Sequence, residues 1–287
     1  MTKRVDDKKV SIILPTYNGS RYIREAIESC LNQIYKNFEL IIVDDGSTDG
    51  IKNIIKSYND ERIKYFRHEH NLGLAEALNT GFTNATGIYL AWTSDDNLYD
   101  LKAIEFMVQA LEQDPGLGFV YANYYIINEQ GKKIKDVKTG SVKSLDRHNC
   151  IGPCFLYRRK VYEQIGGYNP NFFLAEDYEY WLRIRKQFRM QRLDKFLYFY
   201  REHTNSLTTK HKIALIEEQA EKASQKYVTL WAKYYHKGRV HLFNKDYKNS
   251  MKFFIRALFL SPFNFFIWKM ILFTFLNILF YICKRKK

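Results

Sequence analysis

Two adjacent carboxylates, Asp95 and Asp96, follow the apolar run 87–92, which is typical of a buried strand. In an open α/β sheet, ligands bind just beyond the carboxyl ends of the strands, where the loops are exposed. Neighbouring Asp side chains there form a hard anionic site that suits Mg²⁺ or Mn²⁺ carrying a diphosphate. Taken alone, the same residues are more typical of a solvated turn, and the other motifs of the chain decide against that interpretation.

The elements that would position these acids alternate between strand and helix patterns. The apolar runs 10–14 and 40–43 also end in polar segments, and an amphipathic helical pattern follows each of them. This alternation continues to about residue 122 and predicts βαβ units in a mostly parallel, doubly wound sheet. Hairpin signals around residues 128–131 predict that an antiparallel part follows.

The composition, together with the motifs that the sequence lacks, excludes several classes of function. The net charge of +14 suits a phosphate-bearing ligand or an anionic membrane surface. No nucleic-acid-binding motif occurs, so we expect no nucleic acid partner. The glycine-rich patterns of dinucleotide-binding and P-loop proteins are missing, so metal and side chains must handle phosphates. The first residues have no apolar core, so we expect no signal peptide and a cytoplasmic location.

Five motifs carry a family resemblance. In their order and spacing they are similar to those of family 2 glycosyltransferases: Pro15-Thr16-Tyr17-Asn18, Val43-Asp44-Asp45-Gly46-Ser47-Thr48-Asp49, Asn71-Leu72-Gly73, Ser94-Asp95-Asp96 and Glu176-Asp177. The resemblance covers about residues 8–206. It implies the GT-A fold of nucleotide-sugar enzymes, with a mostly parallel, Rossmann-like sheet and an antiparallel part on the acceptor side. It also implies a divalent metal, Mn²⁺ or Mg²⁺.

The nucleotide site is expected on the loops after the first two strands. The Tyr17 ring can stack on a flat base, and Asp45 can accept the imide N–H of a uracil or thymine ring. The alternative for Tyr17 is a rim aromatic packed on the sheet. For Asp44 we expect a structural role as a helix cap, with a loop-stabilising carboxylate as the other structural option. The resemblance assigns nucleotide binding to Pro15, Thr16, Tyr17, Asn18, Asp45, Asn71, Gly73, Asn79 and Asp95.

The resemblance also assigns the metal and the catalytic groups. Asp96 reaches the metal, and His203 is a further metal ligand or diphosphate contact, with a loop hydrogen bond as the alternative. Arg201 is expected to contact phosphate. Asp177 is the general base on the acceptor hydroxyl, and Glu176 orients it or binds the acceptor. Acids at a helix start also complement the helix dipole, which is the structural alternative for this pair.

Beyond residue 207 the pattern becomes helical. We predict a catalytic domain over 1–207, a helical hairpin extension over 208–262 and a membrane-associating helix over 263–287. Residues 230–262 resemble one tetratricopeptide-like hairpin, and an unrelated pair of amphipathic helices is the alternative. The apolar segment 263–283 precedes four basic residues, which favours a helix lying in the inner leaflet. A spanning helix and a buried core helix are the alternatives.

These features together predict an inverting, metal-dependent glycosyltransferase on the inner face of the cytoplasmic membrane. It would move a sugar from a nucleotide donor, UDP-linked, to a saccharide or lipid-linked saccharide acceptor. No Gln-x-x-Arg-Trp sequence follows Asp177, which by the resemblance favours non-processive transfer. The alternatives are a sugar-phosphate nucleotidyltransferase and a non-catalytic membrane scaffold. The first usually has a basic, glycine-rich loop after the first strand, and the segment 15–18 is not one.

Overall fold

The computed structural model describes residues 8–285, and within them the chain divides into two compact units. The first unit takes in residues 8–142, Cys150–Pro170 and Arg183–Thr204. The second takes in Lys143–Asn149, Asn171–Leu182 and the chain from Asn205 onward. The predicted boundary at residue 207 lies near the last of these transitions. Two earlier segments of the predicted catalytic domain nevertheless pack with the C-terminal helices, which a division along the chain did not anticipate.

The first unit is built on one mixed sheet, with nine strands within residues 8–285. In chain order the strands are β1 Val10–Thr16, β2 Phe38–Asp44, β3 Ile63–Arg67, β4 Tyr89–Trp92, β5 Leu98–Tyr99, β6 Leu117–Ile127, β7 Lys133–Val137, β8 Phe155–Arg158 and β9 Arg189–Arg201. Across the sheet they follow the order β3-β2-β1-β4-β8-β6-β9-β5, and β7 pairs with β6.

The sheet has a parallel half and a mixed half. Strands β1 to β4 run parallel to one another, as the alternating pattern predicted. Strand β8 is antiparallel to both β4 and β6, and β6 forms an antiparallel hairpin with β7 around residues 128–131. Strand β9 is parallel to β6. The predicted α/β fold, with an antiparallel part after the parallel one, is confirmed.

Helices cover the sheet of the first unit. They are α1 Ile23–Leu31, α2 Ile51–Lys56, α3 Leu74–Thr83, α4 Ala103–Gln113 and α5 Arg159–Ile165. Every residue of β1 and β2 is buried, because parallel strands covered by helices have no solvent face. The apolar face of α1 is buried as well, at Ile23, Ala26, Ile27 and Cys30.

The second unit is helical. It includes the start of α6 Glu176–Gln187, followed by α7 Leu207–Lys210, α8 Ile213–Ser224, α9 Leu230–Phe243, α10 Tyr247–Leu260 and α11 Phe265–Arg285. The helices α9 and α10 form the predicted hairpin. A Cβ on Gly238 would lie 2.6 Å from the Phe254 ring, so a residue without a side chain lets the two helices approach closely. A turn at residues 261–264 separates α10 from α11, where the last domain was predicted to begin.

Candidate active site

Three polar segments of the first unit meet at the carboxyl edge of its parallel strands. In the β1–β2 ladder Thr16 lies opposite Asp44, and the Asp45 N–H donates to the Thr16 carbonyl at 2.8 Å. On the other side of β1, the Thr93 N–H donates to the Ile13 carbonyl at 2.9 Å. The loops after β1, β2 and β4 are therefore neighbours, which is the arrangement that strand-end carboxylates in a parallel sheet predict.

Asp95 lies against the loop that follows β1. The Thr16 hydroxyl donates a hydrogen bond to Asp95 Oδ2. Burial, followed by the negative charge of Asp96, raises the pKa of Asp95 to about 7. A Cβ on Gly19 would lie 1.9 Å from Asp95 Oδ2 and 2.9 Å from Thr16 Oγ1. Glycine at position 19 thus leaves the space that the Asp95 carboxylate fills, a requirement that the sequence analysis missed.

Replacing Gly19 by Ala is expected to displace the Asp95 carboxylate and to lower kcat/KM by at least about tenfold. The added methyl group overlaps a carboxylate that other contacts hold in place, and misplacing a site group by about 1 Å can cost up to about a hundredfold. Steady-state kinetics beside Ser20→Ala, a small change in the same loop, measure the effect. Wild-type kinetics for Gly19→Ala would show that the Asp95 position is not needed.

Asp96 and His203, the two predicted metal ligands, contact one another. His203 Nε2 lies 2.9 Å from Asp96 Oδ2, and the His203 side chain is 9% exposed. Asp96 Oδ1 is buried and finds no hydrogen-bond partner among the described residues, and the same holds for His203 Nδ1. A buried carboxylate oxygen without a donor suits a cation, so this donor set fits Mg²⁺ or Mn²⁺.

The protein by itself supplies few ligands for such an ion. Within residues 8–285, no three His, Cys, Asp or Glu side chains are grouped so that they could hold a metal. Magnesium in phosphate-transfer sites is often held by one or two carboxylates, with substrate phosphates and water completing its shell. Asp96 and His203 could supply the protein ligands of such a site.

The prediction that Arg201 contacts phosphate is wrong. Its side chain is 1% exposed, and its guanidinium donates to the carbonyls of Asp96 and Glu129 and to the Glu25 carboxylate. The Arg201 N–H also donates to Asn97 Oδ1 at 2.7 Å. These bonds use the donors that a phosphate would need. Arg201 instead anchors the loop that carries Asp96, which composition and spacing alone did not reveal.

Asp45 binds a second loop that the sequence singled out. Its carboxylate accepts from the N–H groups of Leu72 and Gly73 at 2.9 and 2.8 Å, and His68 Nδ1 lies 2.6 Å from Oδ1. The structure thus brings Asp45 together with Asn71-Leu72-Gly73. A carboxylate has about four lone-pair positions, so one is left for a nucleobase. His68, at the end of β3, was missed because a single His carries no spacing signal.

The other residues predicted to bind the nucleotide differ in whether their side chains are already engaged in contacts within the protein. Tyr17 is 52% exposed, so its ring is open to a ligand. Asn18 ties the β1 loop to the β2 loop, since its N–H donates to Ser47 Oγ and its Oδ1 accepts from the Thr48 N–H. Both ends of the Asn79 amide bind the Tyr168 backbone. The nucleotide role of Asn79 stays a prediction, with only one N–H and one lone pair left for it.

The predicted base lies in the second unit, at the start of α6. Asp177 Oδ1 accepts from the Tyr178 N–H at 2.6 Å, and Oδ2 accepts from Asn149 Nδ2 at 2.7 Å. Burial raises the pKa of Asp177, and these two hydrogen bonds oppose that rise. Burial and the charge of Asp177 raise the pKa of the 7% exposed Glu176. The pair can therefore offer one ionised and one protonated carboxyl group, and the contact from Asn149 was not predicted.

Comparison with known proteins decides the family. Residues 11–166, more than half of the chain, match the family model described as glycosyl transferase family 2. The chain belongs to glycosyltransferase family 2. The matched residues include Asp45, Asp95 and Asp96 and end before Glu176, Asp177 and His203. The family match agrees with the predicted glycosyltransferase and speaks against the sugar-phosphate nucleotidyltransferase alternative.

Two relatives show the extent of the sequence similarity. A Rickettsia felis protein described as an uncharacterized glycosyltransferase is 37% identical over 188 residues, covering 61% of this chain and 31% of the relative. The chain thus spans less than a third of that relative's length. The Escherichia coli protein named UDP-Glc:alpha-D-GlcNAc-diphosphoundecaprenol beta-1,3-glucosyltransferase WfgD is 33% identical over 186 residues. That match covers 63% of this glycosyltransferase and 72% of the relative.

Solved structures support the fold over most of the chain. Staphylococcus aureus TarS 1-349 in complex with UDP-GlcNAc has a TM-score of 0.64 and 17% identity, and 87% of each chain is covered. The mannosyltransferase PcManGT from Pyrobaculum calidifontis, in complex with GDP-Man and Mn²⁺, has a TM-score of 0.61 and 18% identity. That match covers 86% of this glycosyltransferase and 74% of the neighbour. The GT-A fold that the motifs implied is confirmed.

Proposed function

We propose that this glycosyltransferase transfers one sugar per encounter, with inversion, from a UDP-linked donor to a hydroxyl of a saccharide acceptor. The observation that carries the proposal is the meeting of three strand-end loops around Thr16, Asp45 and Asp95, with Asp96 and His203 in contact beside them. Tyr17 and Asp45 would hold the base, and the loop 71–73 that Asp45 fixes would line the ribose side. The donors named for the structural neighbours support a nucleotide sugar.

Asp96, with His203, would hold the divalent ion. The ion would neutralise charge on the departing diphosphate, where a protein proton donor would otherwise be needed. The buried Asp96 oxygen that has no donor supports this assignment. Asp95, which the Thr16 hydroxyl holds, would face the ribose.

Asp177 would take the proton from the acceptor hydroxyl as that oxygen attacks the sugar carbon. The N–H of Tyr178 and the amide of Asn149 hold its two oxygens in a defined orientation. A single base with in-line attack inverts the configuration of the sugar carbon, and the base must lie within about 3 Å of the acceptor oxygen. Glu176, whose raised pKa favours the neutral form, would orient the base or donate a hydrogen bond to the acceptor.

A donor panel tests the proposal. The protein is incubated with UDP-, GDP- and dTDP-linked sugars and Mn²⁺, and nucleoside diphosphate release is measured. We expect release from UDP sugars above the others. Preferential release from GDP sugars would overturn the uridine assignment of Asp45 and Tyr17.

We further propose a lipid-linked saccharide acceptor and a peripheral place on the inner face of the cytoplasmic membrane. The name of the Escherichia coli relative, which includes a diphosphoundecaprenol acceptor, supports the first. Within residues 8–285 no helix is long and apolar enough to cross a bilayer. The outward side of α11 is nevertheless apolar, with exposed Trp268, Leu272, Phe273, Leu276 and Phe280. This outward side is called the α11 face below.

Charge favours an anionic lipid surface as the occupant of the α11 face. From Tyr247 onward the sequence has no Asp or Glu, and it has basic residues at 248, 252, 256 and 269. Two copies of such a surface would repel each other, whereas anionic headgroups attract it. Aromatic and aliphatic side chains beside basic ones are typical of helices that lie in the headgroup region.

Replacing Phe273 and Phe280 by Ser in one protein is expected to weaken binding to phosphatidylglycerol vesicles by about tenfold or more, because two large apolar side chains no longer enter the lipid. Co-sedimentation measures the binding. The control is Leu230→Ser, which removes an exposed apolar side chain on α9. Equal binding of wild type to neutral and anionic vesicles would contradict the assignment, as would dimers that only the double substitution disrupts.

A further inference from the structure

We propose that the C-terminal helix α9 positions Asp177 by fixing the short segment Lys143–Asn149, which we call the clamp segment. The inference rests on the proposed role of Asp177 as the base. It gives the helical extension a part in the transfer reaction besides membrane contact. All the residues concerned belong to the second unit.

Three consecutive carbonyls of the clamp segment are bound by side chains from two helices. The Tyr178 hydroxyl of α6 donates to the Leu145 carbonyl at 2.5 Å. From α9, His236 Nε2 donates to the Asp146 carbonyl at 3.0 Å, and Arg239 Nη1 donates to the Arg147 carbonyl at 3.2 Å. A segment with only one turn of 3-10 helix has few internal partners for these carbonyls, so the side chains determine its path.

The donors from α9 are themselves held. His236 is 1% exposed, and burial lowers its pKa to about 3, so the ring is neutral with its proton on the nitrogen that faces the carbonyl. Arg239 also pairs with Glu217 of α8. Arg147 stacks its guanidinium over the Phe266 ring of α11, 3.9 Å from the ring centroid. Residues of α9 and α11 thus contact the clamp segment directly.

The clamp segment ends at the residue that contacts the base. Asn149 lies two residues beyond the last bound carbonyl, and its Nδ2 donates to Asp177 Oδ2 at 2.7 Å. Asn149 is exposed, and its backbone continues directly from the residues whose carbonyls α9 binds. If α9 releases the segment, the amide no longer holds the carboxylate in one orientation. A base misplaced by about 1 Å can lose up to about a hundredfold in rate.

Two substitutions, one at each end of the clamp segment's contacts, test the proposal that α9 positions Asp177. Asn149→Leu removes the donor to Asp177, and Arg239→Met removes the donor to Arg147. We expect each to lower kcat by about tenfold or more, with KM for the nucleotide sugar and calorimetric affinity for UDP unchanged. Unchanged UDP affinity also shows that the first unit of each variant is folded, and the control variant below reports on the helices of the second unit. Arg239→Lys, which keeps a donor, should recover part of kcat.

The matched control is Glu217→Gln, which removes the charge of the ion pair but keeps an oxygen that can accept from Arg239, so the bond from Arg239 to the Arg147 carbonyl stays in place. It should retain most of the wild-type kcat. Losses of kcat in Glu217→Gln as large as in Arg239→Met would overturn the clamp, because they would reflect helix stability. A rise in donor KM that parallels the fall in kcat would also overturn the clamp.

The Asp177→Asn variant separates the clamp from the base assignment. If Asp177→Asn is inactive while Asn149→Leu and Arg239→Met keep wild-type kcat, the clamp is wrong and the base assignment stands. If Asp177→Asn keeps wild-type turnover, the base assignment fails and the clamp fails with it.

Discussion

Replacing Asp177 by Asn is expected to lower kcat by about 10²- to 10⁴-fold, the range that a positioned general base contributes. The amide has nearly the shape of the carboxylate and cannot accept the acceptor proton. Because Asp177 is not among the residues that would hold the nucleotide, affinity for UDP should stay at the wild-type value. Nucleotide release at saturating donor and acceptor measures kcat, and calorimetry measures UDP binding.

Glu179→Gln is the control for the Asp177 substitution. Glu179 is a buried carboxylate two residues further along α6, and the Gln oxygen can still accept from the Tyr227 hydroxyl. Its kcat should remain near wild type. Turnover of Asp177→Asn at the wild-type rate would show that Asp177 is not the general base. The carboxylates at the start of α6 would then keep only their favourable interaction with the helix dipole.

The pH profile follows from the same carboxylate. The base must be ionised, so kcat/KM is retained above its pKa and falls as pH drops through it. Burial raises the pKa of Asp177, so the acid limb should lie above the ordinary Asp value of about 3.9. A profile of kcat/KM against pH gives the limb directly. An acid limb at or below the ordinary Asp value would contradict the proposed role.

Replacing Asp96 by Asn is expected to lower kcat/KM by about a hundredfold or more and to weaken UDP binding in the presence of Mn²⁺. A metal on the leaving diphosphate contributes several kcal/mol, and about 1.4 kcal/mol corresponds to tenfold in rate. Asn keeps a neutral oxygen but loses the charge that attracts the ion. Calorimetric titration of UDP with Mn²⁺ and with EDTA measures the metal-dependent part of the affinity.

Asp136→Asn controls for loss of a negative charge in the same unit, because Asp136 is an exposed carboxylate on β7 that pairs with Lys133. It should bind UDP and Mn²⁺ as the wild type does. If Asp96→Asn keeps the wild-type difference between Mn²⁺ and EDTA, Asp96 is not the metal carboxylate. His203 alone could not then account for the metal.

The strand-end groups were predictable because their position follows from local pattern and sheet geometry. Parallel strands place their carboxyl ends at one edge, so apolar runs that end in Asp45 and Asp95 already imply neighbouring carboxylates. Thr16 links the two segments in the structure, since its carbonyl accepts from the Asp45 N–H and its hydroxyl donates to Asp95. The hairpin of α9 and α10 was predictable for a similar reason, since its spacing is local.

The groups that sequence reasoning missed or misassigned depend on contacts between distant segments. Arg201 shares a stretch of chain with His203, but only the fold shows that its guanidinium is buried against Glu25 and backbone carbonyls. His236 and Arg239 bind a segment about ninety residues earlier in the chain. No periodicity relates such positions, so the two-unit division and the contact between Asn149 and Asp177 required the three-dimensional structure.

The most direct test of the account is release of nucleoside diphosphate from a nucleotide sugar, measured for wild type, Asp96→Asn and Asp177→Asn with Mn²⁺ and a saccharide acceptor. The account predicts metal-dependent release by the wild type. It also predicts that Asp96→Asn loses metal-dependent nucleotide binding, while Asp177→Asn binds normally but does not turn over. Wild-type protein that releases no nucleotide from any donor, or variants that match its rate, would contradict the account.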